Sequence, residues 1–208
     1  IKNHTFEDYK NNANAHGAVV GRSANRIEKA RFKIDDTVVN LEVNDRGNNL
    51  HSGSESYYNR FYDVTEVNEE EGKVVFSLFS PDMDQNIPGN LKLDVTYKFT
   101  EDNEVIINYK AVSDKDTVIN LTNHSYFNLN GHNSGCALDH IIWVDADKFT
   151  AADEAAIPHG EEIDVTGTVF DFRKPMSARE GNASEYEQIK WAKGYDRNFV
   201  LNSPSLEK

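Results

Sequence analysis

The chain has 208 residues, a length that suits one large β domain or two small domains, and it carries 35 acidic against 22 basic side chains. The resulting formal net charge of −13 repels a phosphate backbone, so we expect no nucleic-acid partner. A single cysteine, Cys136, excludes an internal disulfide framework and a cysteine-rich metal site, and no apolar stretch approaches the roughly 20 residues that cross a bilayer, so no membrane partner is expected.

Short apolar segments separated by turn residues fill the start of the chain. Residues 1–16 are polar and predict a loop with one helical turn, whereas the apolar run at 17–21, bounded by glycines, predicts a buried strand. A solvated turn is the simplest interpretation of the basic run at 22–27 when it is taken alone. Apolar residues on either side of two aspartates predict a β-hairpin over 31–43.

A second group of strands follows a turn cluster at 44–49. The cluster leads to His51, and the small residues after it allow a ligand or another backbone to approach closely, although a lone loop histidine is more often a surface residue. Apolar residues predict strands at 74–79, 91–99 and 105–112. The second and third of these alternate, so one face of each is expected to pack in the core and the other to meet water.

The segment 118–129 combines an apolar strand pattern with a high density of polar side chains. Its first half alternates apolar and polar residues and predicts a strand with one buried face. Its second half adds hydrogen-bonding groups and one titratable ring at Asn123, His124 and Ser125. Buried polar groups cost free energy unless they find partners. We therefore expect this segment either to be tied into a hydrogen-bond network or to line a wet concavity.

The last third of the chain continues the β pattern. It predicts a strand at 141–146, a helix within 184–192, and an apolar strand after Asp196, which by itself is interpreted as a salt-bridged turn residue. Many strands at even spacing with little helix predict an all-β fold, a large antiparallel β-sandwich. No domain boundary is visible, so a single domain is predicted over residues 1–208.

Four short motifs, in this order, resemble the aldose 1-epimerase (galactose mutarotase) family. Residues 21–27, Gly-Arg-Ser-Ala-Asn-Arg-Ile, resemble the family's Gly-Arg-x-Ala-Asn-Arg-Ile, and residues 48–53, Asn-Asn-Leu-His-Ser-Gly, resemble Asn-x-Leu-His-Gly-Gly. Residues 120–129, Asn-Leu-Thr-Asn-His-Ser-Tyr-Phe-Asn-Leu, match without a change. Residues 194–201, Gly-Tyr-Asp-Arg-Asn-Phe-Val-Leu, resemble Gly-Tyr-Asp-His-Asn-Phe-Val-Leu.

The resemblance implies a fold, an activity and a set of site residues. The family fold is a large antiparallel β-sandwich, the galactose mutarotase-like supersandwich, with a sugar cleft on a concave face. The implied activity is the interconversion of the α and β anomers of an aldose such as galactose or glucose, with His124 in the position of the catalytic acid. The sugar-contacting positions correspond to Asn25, Arg26, His51, Ser125, Tyr126 and Asp196. A monosaccharide partner is implied and no metal or other cofactor, while a homodimer and a cytoplasmic location are further expectations.

The residue types at these positions suit the chemistry of ring opening. A pyranose opens when its ring oxygen receives a proton and its C1 hydroxyl loses one, so the site needs an acid and a base. Histidine suits the acid because its unperturbed pKa, about 6.5, lies near working pH. Arg26 and Asp196 can hold sugar hydroxyls through charge-assisted hydrogen bonds, and the ring of Tyr126 can pack on an apolar sugar face.

The sequence departs from the family pattern at its ends. The family's general base is a glutamate well beyond the Gly-Tyr-Asp motif, and we do not find it in this chain, which is truncated at both ends relative to the family. We expect the base in a segment outside the sequence; a second chain could supply it, or catalysis could be lost. In the last case the protein would be a non-catalytic carbohydrate-binding β-sandwich, and a structural domain with a vestigial cleft ranks below it.

Two substitutions inside the motifs bear on the sugar. Ser52 stands where the family has glycine, which is a mild change, and Arg197 stands where the family has histidine, which adds a charge near the cleft. A site for phosphorylated sugars would gather several cations, and Arg22, Arg26 and Arg197 leave that alternative open. The unchanged motif around His124 favours unphosphorylated sugars.

Overall fold

A computed structural model describes residues 5–10 and 15–203 of the chain. The chain divides into two compact units: a first unit formed by residues 13–125, and a second unit formed by residues 126–208 together with 1–12. The single domain over residues 1–208 stays a prediction. Within the described ranges, no helix is both long enough and apolar enough to cross a membrane.

The first unit consists of strands joined by turns and short 3-10 helices. Its strands are β1 Val19–Val20, β2 Arg26–Ile27, β3 Arg31–Ile34, β4 Thr37–Asn40, β5 Asn49–Leu50, β6 Asp63–Asn68, β7 Lys73–Ser80, β8 Leu91–Phe99, β9 Val105–Ser113 and β10 Thr122–Asn123. The 3-10 helices are Glu28–Ala30, Tyr57–Asn59 and Asp84–Asn86.

The largest sheet of the first unit is antiparallel, with strand order β6-β7-β8-β9. β8 shows the predicted alternation: Leu91, Leu93 and Val95 are at most 1% exposed, and they pack with Tyr57 and Leu78 in one hydrophobic cluster. In β9, by contrast, only Ile107, Tyr109 and Ser113 are even partly buried, so its inner face is less complete than predicted. The strand β6 lies outside the sequence predictions.

The hairpin predicted over 31–43 is present, and β3 pairs with β4 from Arg31↔Asn40 to Ile34↔Thr37. Its second strand ends at Asn40, three residues earlier than predicted, and Leu41 beyond it is buried in the same cluster as Val39. The buried strand predicted at 17–21 is confirmed as β1, which is fully buried.

The strand predicted in the first half of 118–129 is largely wrong. Only β10 forms a ladder, through the antiparallel pairs Val19↔Asn123 and Val20↔Thr122. Upstream of it, Asn120 makes an isolated parallel bridge with Ser23 instead of a strand pair. The physical reason is that the backbone of Asn120 bonds to a turn: its N–H donates to Arg22 O at 2.9 Å, and its carbonyl accepts from Ala24 N–H at 2.7 Å.

The second unit contains two sheets and the longer helices. Its elements are α1 Phe6–Lys10, β11 Ile141–Ile142, β12 Ala146–Ala152, β13 Pro158–Asp164, β14 Met176–Ser177, α2 Arg179–Asn182, α3 Glu187–Ala192 and β15 Phe199–Leu201. The sheets are antiparallel, with orders β13-β12-β15 and β11-β14. A 3-10 helix, Ala137–Asp139, precedes β11.

Aromatic packing forms the core of the second unit. Phe149 and Phe170 are fully buried and stack with ring centroids 4.3 Å apart, and Ile189 of α3 packs against the same cluster. The helix predicted within 184–192 is confirmed as α3, and the helical turn predicted within 1–16 as α1; residues 1–4 and 11–14 of that prediction lie outside the described residues.

Candidate functional site

Two turns and the strand β2 of the first unit carry three of the sequence-predicted site residues, Asn25, Arg26 and His51. β2 pairs with β5 through Arg26↔Leu50 and Ile27↔Asn49. This pairing places the turn that ends in Asn25 beside the turn that begins at His51. The bridge between Ser23 and Asn120 then attaches the segment that leads to His124.

Asn25 and His51 are joined by a reciprocal pair of hydrogen bonds. The backbone N–H of His51 donates to Asn25 O at 3.0 Å, and the backbone N–H of Asn25 donates to Nδ1 of the His51 ring at 3.1 Å. Both residues have positive φ, 59° for Asn25 and 55° for His51. Left-handed backbone is uncommon for residues other than glycine, so these bonds hold a turn that an isolated peptide would avoid.

Arg26 is held by a carboxylate that the sequence analysis missed. Its Nε donates to Asp45 Oδ2 at 2.6 Å, and the side chains are only 17% and 20% exposed. Burial pushes the pKa of Asp45 upward, but the hydrogen bonds from Arg26 and Arg46 outweigh that effect and hold the pKa below its ordinary value. The guanidinium of Arg26 is therefore fixed by a charged partner.

His124 follows β10 directly and is anchored through its backbone. Its N–H donates to Ala18 O at 2.9 Å, and its carbonyl accepts from Gly17 N–H at 3.0 Å. Its half-buried ring meets the ring of His51 edge-on, with centroids 5.3 Å apart and planes at 88°. The structure thus brings the predicted acid into contact with a predicted sugar-binding residue.

The polar residues around His124 form a hydrogen-bond network, which is the first of the two alternatives that the sequence left open. The Nδ2 group of Asn123 donates to the hydroxyl of Tyr97 at 3.2 Å and to Gly17 O at 3.3 Å, while its Oδ1 accepts from the hydroxyl of Ser125. Ser125 itself is exposed. Tyr97, which sequence analysis missed, therefore links the motif to the core of the large sheet.

Arg22 does not belong to a ligand site. It is fully buried, and its guanidinium donates to protein acceptors that include Pro88 O at 2.9 Å, Gly89 O at 3.0 Å and Ser80 Oγ at 2.5 Å. The solvated turn expected at 22–27 is accordingly wrong for Arg22. The structure also removes Arg22 from the cations considered for a phosphorylated sugar.

Tyr126 and Asp196 lie in the second unit. Burial, and after it the negative charge of Asp196, raises the pKa of the Tyr126 phenol, so the two side chains share one electrostatic environment. Asp196 is exposed in the turn before β15. Arg197 is held by α3 and by this turn, since its Nε donates to Gln188 Oε1 at 2.5 Å and its Nη1 to Asp196 O at 2.6 Å.

An apolar cavity in the first unit is lined by none of the sequence-predicted site residues, although Tyr97 in its wall bonds to Asn123. It has a volume of about 390 Å³ and is lined by Val19, Arg60, Phe61, Tyr62, Phe76, Val95 and Tyr97. Because no sequence-predicted site residue lines it and its walls are mostly apolar, we do not assign it to sugar. In the described part of the chain, no group of three or more metal-ligating side chains lies close enough together to hold a metal ion.

Comparisons with known proteins match the whole described chain. A family model described as aldose 1-epimerase matches residues 2–208. The chain is 39% identical over 197 residues to the aldose 1-epimerase of Escherichia coli (strain K12) and 39% identical over 203 residues to the galactose mutarotase of Homo sapiens. These alignments cover 95% and 98% of this chain but 56% of each relative, so the chain spans little more than half of their length.

A solved structure agrees with the sequence matches. The galactose 1-epimerase of Lactobacillus acidophilus NCFM superposes with a TM-score of 0.88 at 33% identity, covering 97% of this chain and 60% of that one. The chain belongs to the aldose 1-epimerase family. The predicted all-β sandwich class is confirmed by this neighbour and by the strands of both units. The roles of the individual site residues stay predictions.

Proposed function

We propose that the protein containing this chain is an aldose 1-epimerase, an isomerase that interconverts the α and β anomers of an aldohexose such as galactose or glucose. The observation that carries the proposal is the gathering of Asn25, Arg26, His51 and His124 by hydrogen-bonded turns of the first unit. Family membership over residues 2–208 supports the same reaction class.

In the proposed mechanism His124 is the general acid. It gives its proton to the ring oxygen while the C1 hydroxyl loses its proton to a base, so the bond between C1 and the ring oxygen breaks and an open-chain aldehyde forms. Rotation about the bond between C1 and C2 followed by reclosure, with the two proton transfers reversed, gives the other anomer. We assign the base to no residue of this chain.

The remaining predicted residues are proposed to hold the sugar. Arg26, which Asp45 fixes, and Asp196 offer charge-assisted hydrogen bonds to hydroxyls. His51 and Ser125 offer neutral hydrogen bonds, and the ring of Tyr126 offers an apolar face. Every group in this scheme acts by hydrogen bonding, packing or proton transfer.

Polarimetry on freshly dissolved α-glucose or α-galactose tests the proposal in the whole protein. His124→Ala is expected to slow mutarotation roughly 100-fold or more, because a positioned acid contributes at least that much. His132→Ala is the matched control, since His132 is an exposed histidine outside all four motifs.

Two results would contradict the proposal. One is a wild-type protein that does not accelerate mutarotation; sugar binding in calorimetry beside flat polarimetry would then favour the non-catalytic carbohydrate-binding alternative. The other is full activity after His124→Ala. A homodimer and a cytoplasmic location stay predictions, to be tested by light scattering and by cell fractionation.

A further inference from the structure

Four hydrogen bonds join the turn at residues 23–25 to the turn at residues 51–52. Two of them are the reciprocal bonds between Asn25 and His51 described above. The other two involve one side chain: the backbone N–H of Ser23 donates to Ser52 Oγ at 2.7 Å, and Ser52 Oγ donates to Ser23 O at 3.2 Å. The Ser52 hydroxyl thus bonds to both backbone groups of a single residue.

These bonds hold a backbone that is unfavourable without them. Asn25, His51 and Ser52 have φ values of 59°, 55° and 67°, which lie in the left-handed region. Such conformations persist where the surrounding structure over-determines them. Ser23 and Ser52 are only 6% and 3% exposed, so water has little access to replace their bonds.

The bond to Nδ1 determines where the His51 ring carries its proton. A neutral imidazole has one N–H donor and one acceptor nitrogen. Because the backbone N–H of Asn25 donates to Nδ1, that nitrogen must be the acceptor, so the neutral ring carries its proton on Nε2. In the neutral ring of His51 the N–H donor is therefore at Nε2.

We propose that Ser52 is a positioning residue that fixes the tautomer of His51 and its binding of the sugar. Ser52 follows His51 in the chain and clamps Ser23, two residues before the amide that bonds Nδ1. With the hydroxyl absent, the buried N–H of Ser23 loses this partner, and the two turns keep the bonds between Asn25 and His51 and the adjoining pairs of β2 with β5. The Asn25 amide then no longer holds Nδ1 firmly, and the two neutral tautomers mix.

The role in sugar binding rests on the proposed function, whereas the tautomer does not. This difference allows the two to be tested separately. Ser52→Gly is the informative variant because glycine adopts positive φ without strain and removes only the hydroxyl and its carbon. Ser56→Ala is the matched control. Ser56 is also fully buried and its hydroxyl donates to Gly21 O at 3.2 Å, but it bonds neither to the turn at residues 23–25 nor to the turn at residues 51–52.

Nitrogen-15 NMR of the histidine rings is the first measurement. In the wild-type protein we expect His51 Nδ1 to resonate as an unprotonated nitrogen and Nε2 as a protonated one. In Ser52→Gly the two resonances should move toward each other, and in Ser56→Ala they should stay where they are in the wild type. Mutarotation kinetics is the second measurement: Ser52→Gly should raise KM about tenfold, equivalent to about 1.4 kcal/mol, with kcat within about twofold.

Each outcome decides the proposal. A protonated Nδ1 in the wild type, unchanged His51 resonances in Ser52→Gly, or equal shifts in Ser56→Ala would overturn it. A fall in kcat with unchanged KM in Ser52→Gly would overturn the role in sugar binding. If the NMR result is as expected but the wild type has no mutarotase activity, the tautomer assignment stands and the proposed function fails.

Discussion

Arg22→Lys tests whether the buried guanidinium of Arg22 supports the turn that carries Asn25 and leads into Arg26 of β2. The Arg22 side chain is 0% exposed and spreads its donors over acceptors on several segments, including Tyr57 Oη at 3.3 Å, Pro88 O at 2.9 Å and Ser80 Oγ at 2.5 Å. The Ser80 hydroxyl, which accepts from Arg22, in turn donates to the carboxylate of Asp84. Lysine keeps the charge but places its three donors on one atom, so it cannot span these acceptors.

The expected cost follows from the acceptors that lysine leaves unpaired. A buried polar group that loses its partner costs about 1 to 3 kcal/mol; at about 1.5 kcal/mol each, two such groups lower the free energy of unfolding by about 3 kcal/mol. With a denaturant slope of about 3 kcal/mol per molar urea, the unfolding midpoint should fall by about 1 M. The hydrogen bond from Ala24 N–H to Asn120 O should also open more often, since the turn after Arg22 loses its support.

Urea unfolding followed by far-UV circular dichroism measures this loss. Both tryptophans, Trp143 and Trp191, lie in the second unit, so tryptophan fluorescence would not report directly on the first. Arg31→Lys is the control, because Arg31 is an exposed arginine on β3. If Arg22→Lys shifts the midpoint no more than Arg31→Lys does, and the Ala24 amide exchanges at the wild-type rate, the reasoning is refuted.

Two further predictions concern titratable groups. Asp45→Asn should raise KM about tenfold, because Arg26 loses its charged partner; unchanged kinetics would show that the pair does not position Arg26. Because the pKa of Asp45 lies below its ordinary value, its contribution to stability is present above the unfolded-state pKa and is lost as pH falls through the folded pKa, so the stability difference between wild type and Asp45→Asn should shrink in acid. Burial raises the pKa of Tyr109 to about 12, so its contribution is complete below the ordinary tyrosine pKa and is lost as pH rises toward 12. Ultraviolet titration should show a late phenol ionisation that disappears in Tyr109→Phe, and an ordinary ionisation at that position would contradict the burial argument.

The sequence was informative where burial alternates along a strand. In β8 every second residue from Leu91 to Val95 is buried, and this strand was predicted with its correct bounds. β6 was missed because almost all of its residues are exposed, so it has no apolar face for a periodic pattern to reveal. β13 was not predicted either: it contains Gly160, whose φ of 83° is more typical of a turn than of a strand.

In the candidate site, the sequence predicted the motif residues but not the residues that support them. The motifs named Asn25, Arg26, His51 and His124 because their residue types and order resemble a family pattern. The supports of these residues were missed: Asp45 lies 19 residues from Arg26, and Ser52 lies 29 residues from Ser23. Such contacts depend on how two turns meet in space, which neither periodicity nor composition encodes. The sequence showed only that Asp45 is an acidic residue in the turn cluster before His51, and this did not identify Arg26 as its partner.

The contact between two histidine rings suggests a division of roles within the proposed mechanism. Two protonated imidazoles with centroids 5.3 Å apart would repel each other by about 1 to 3 kcal/mol, taking effective dielectric constants between those of water and a protein surface. The Asn25 amide donates to Nδ1 of His51, and a protonated ring has no lone pair there to accept it. Since this hydrogen bond requires a neutral His51, a proton on His124, which the proposed mechanism needs, does not face a positive charge on His51. The hydrogen bonds of Ser52 therefore bear on both rings. The bond from Asn25 that they support fixes the tautomer of His51, and it also keeps His51 uncharged beside His124.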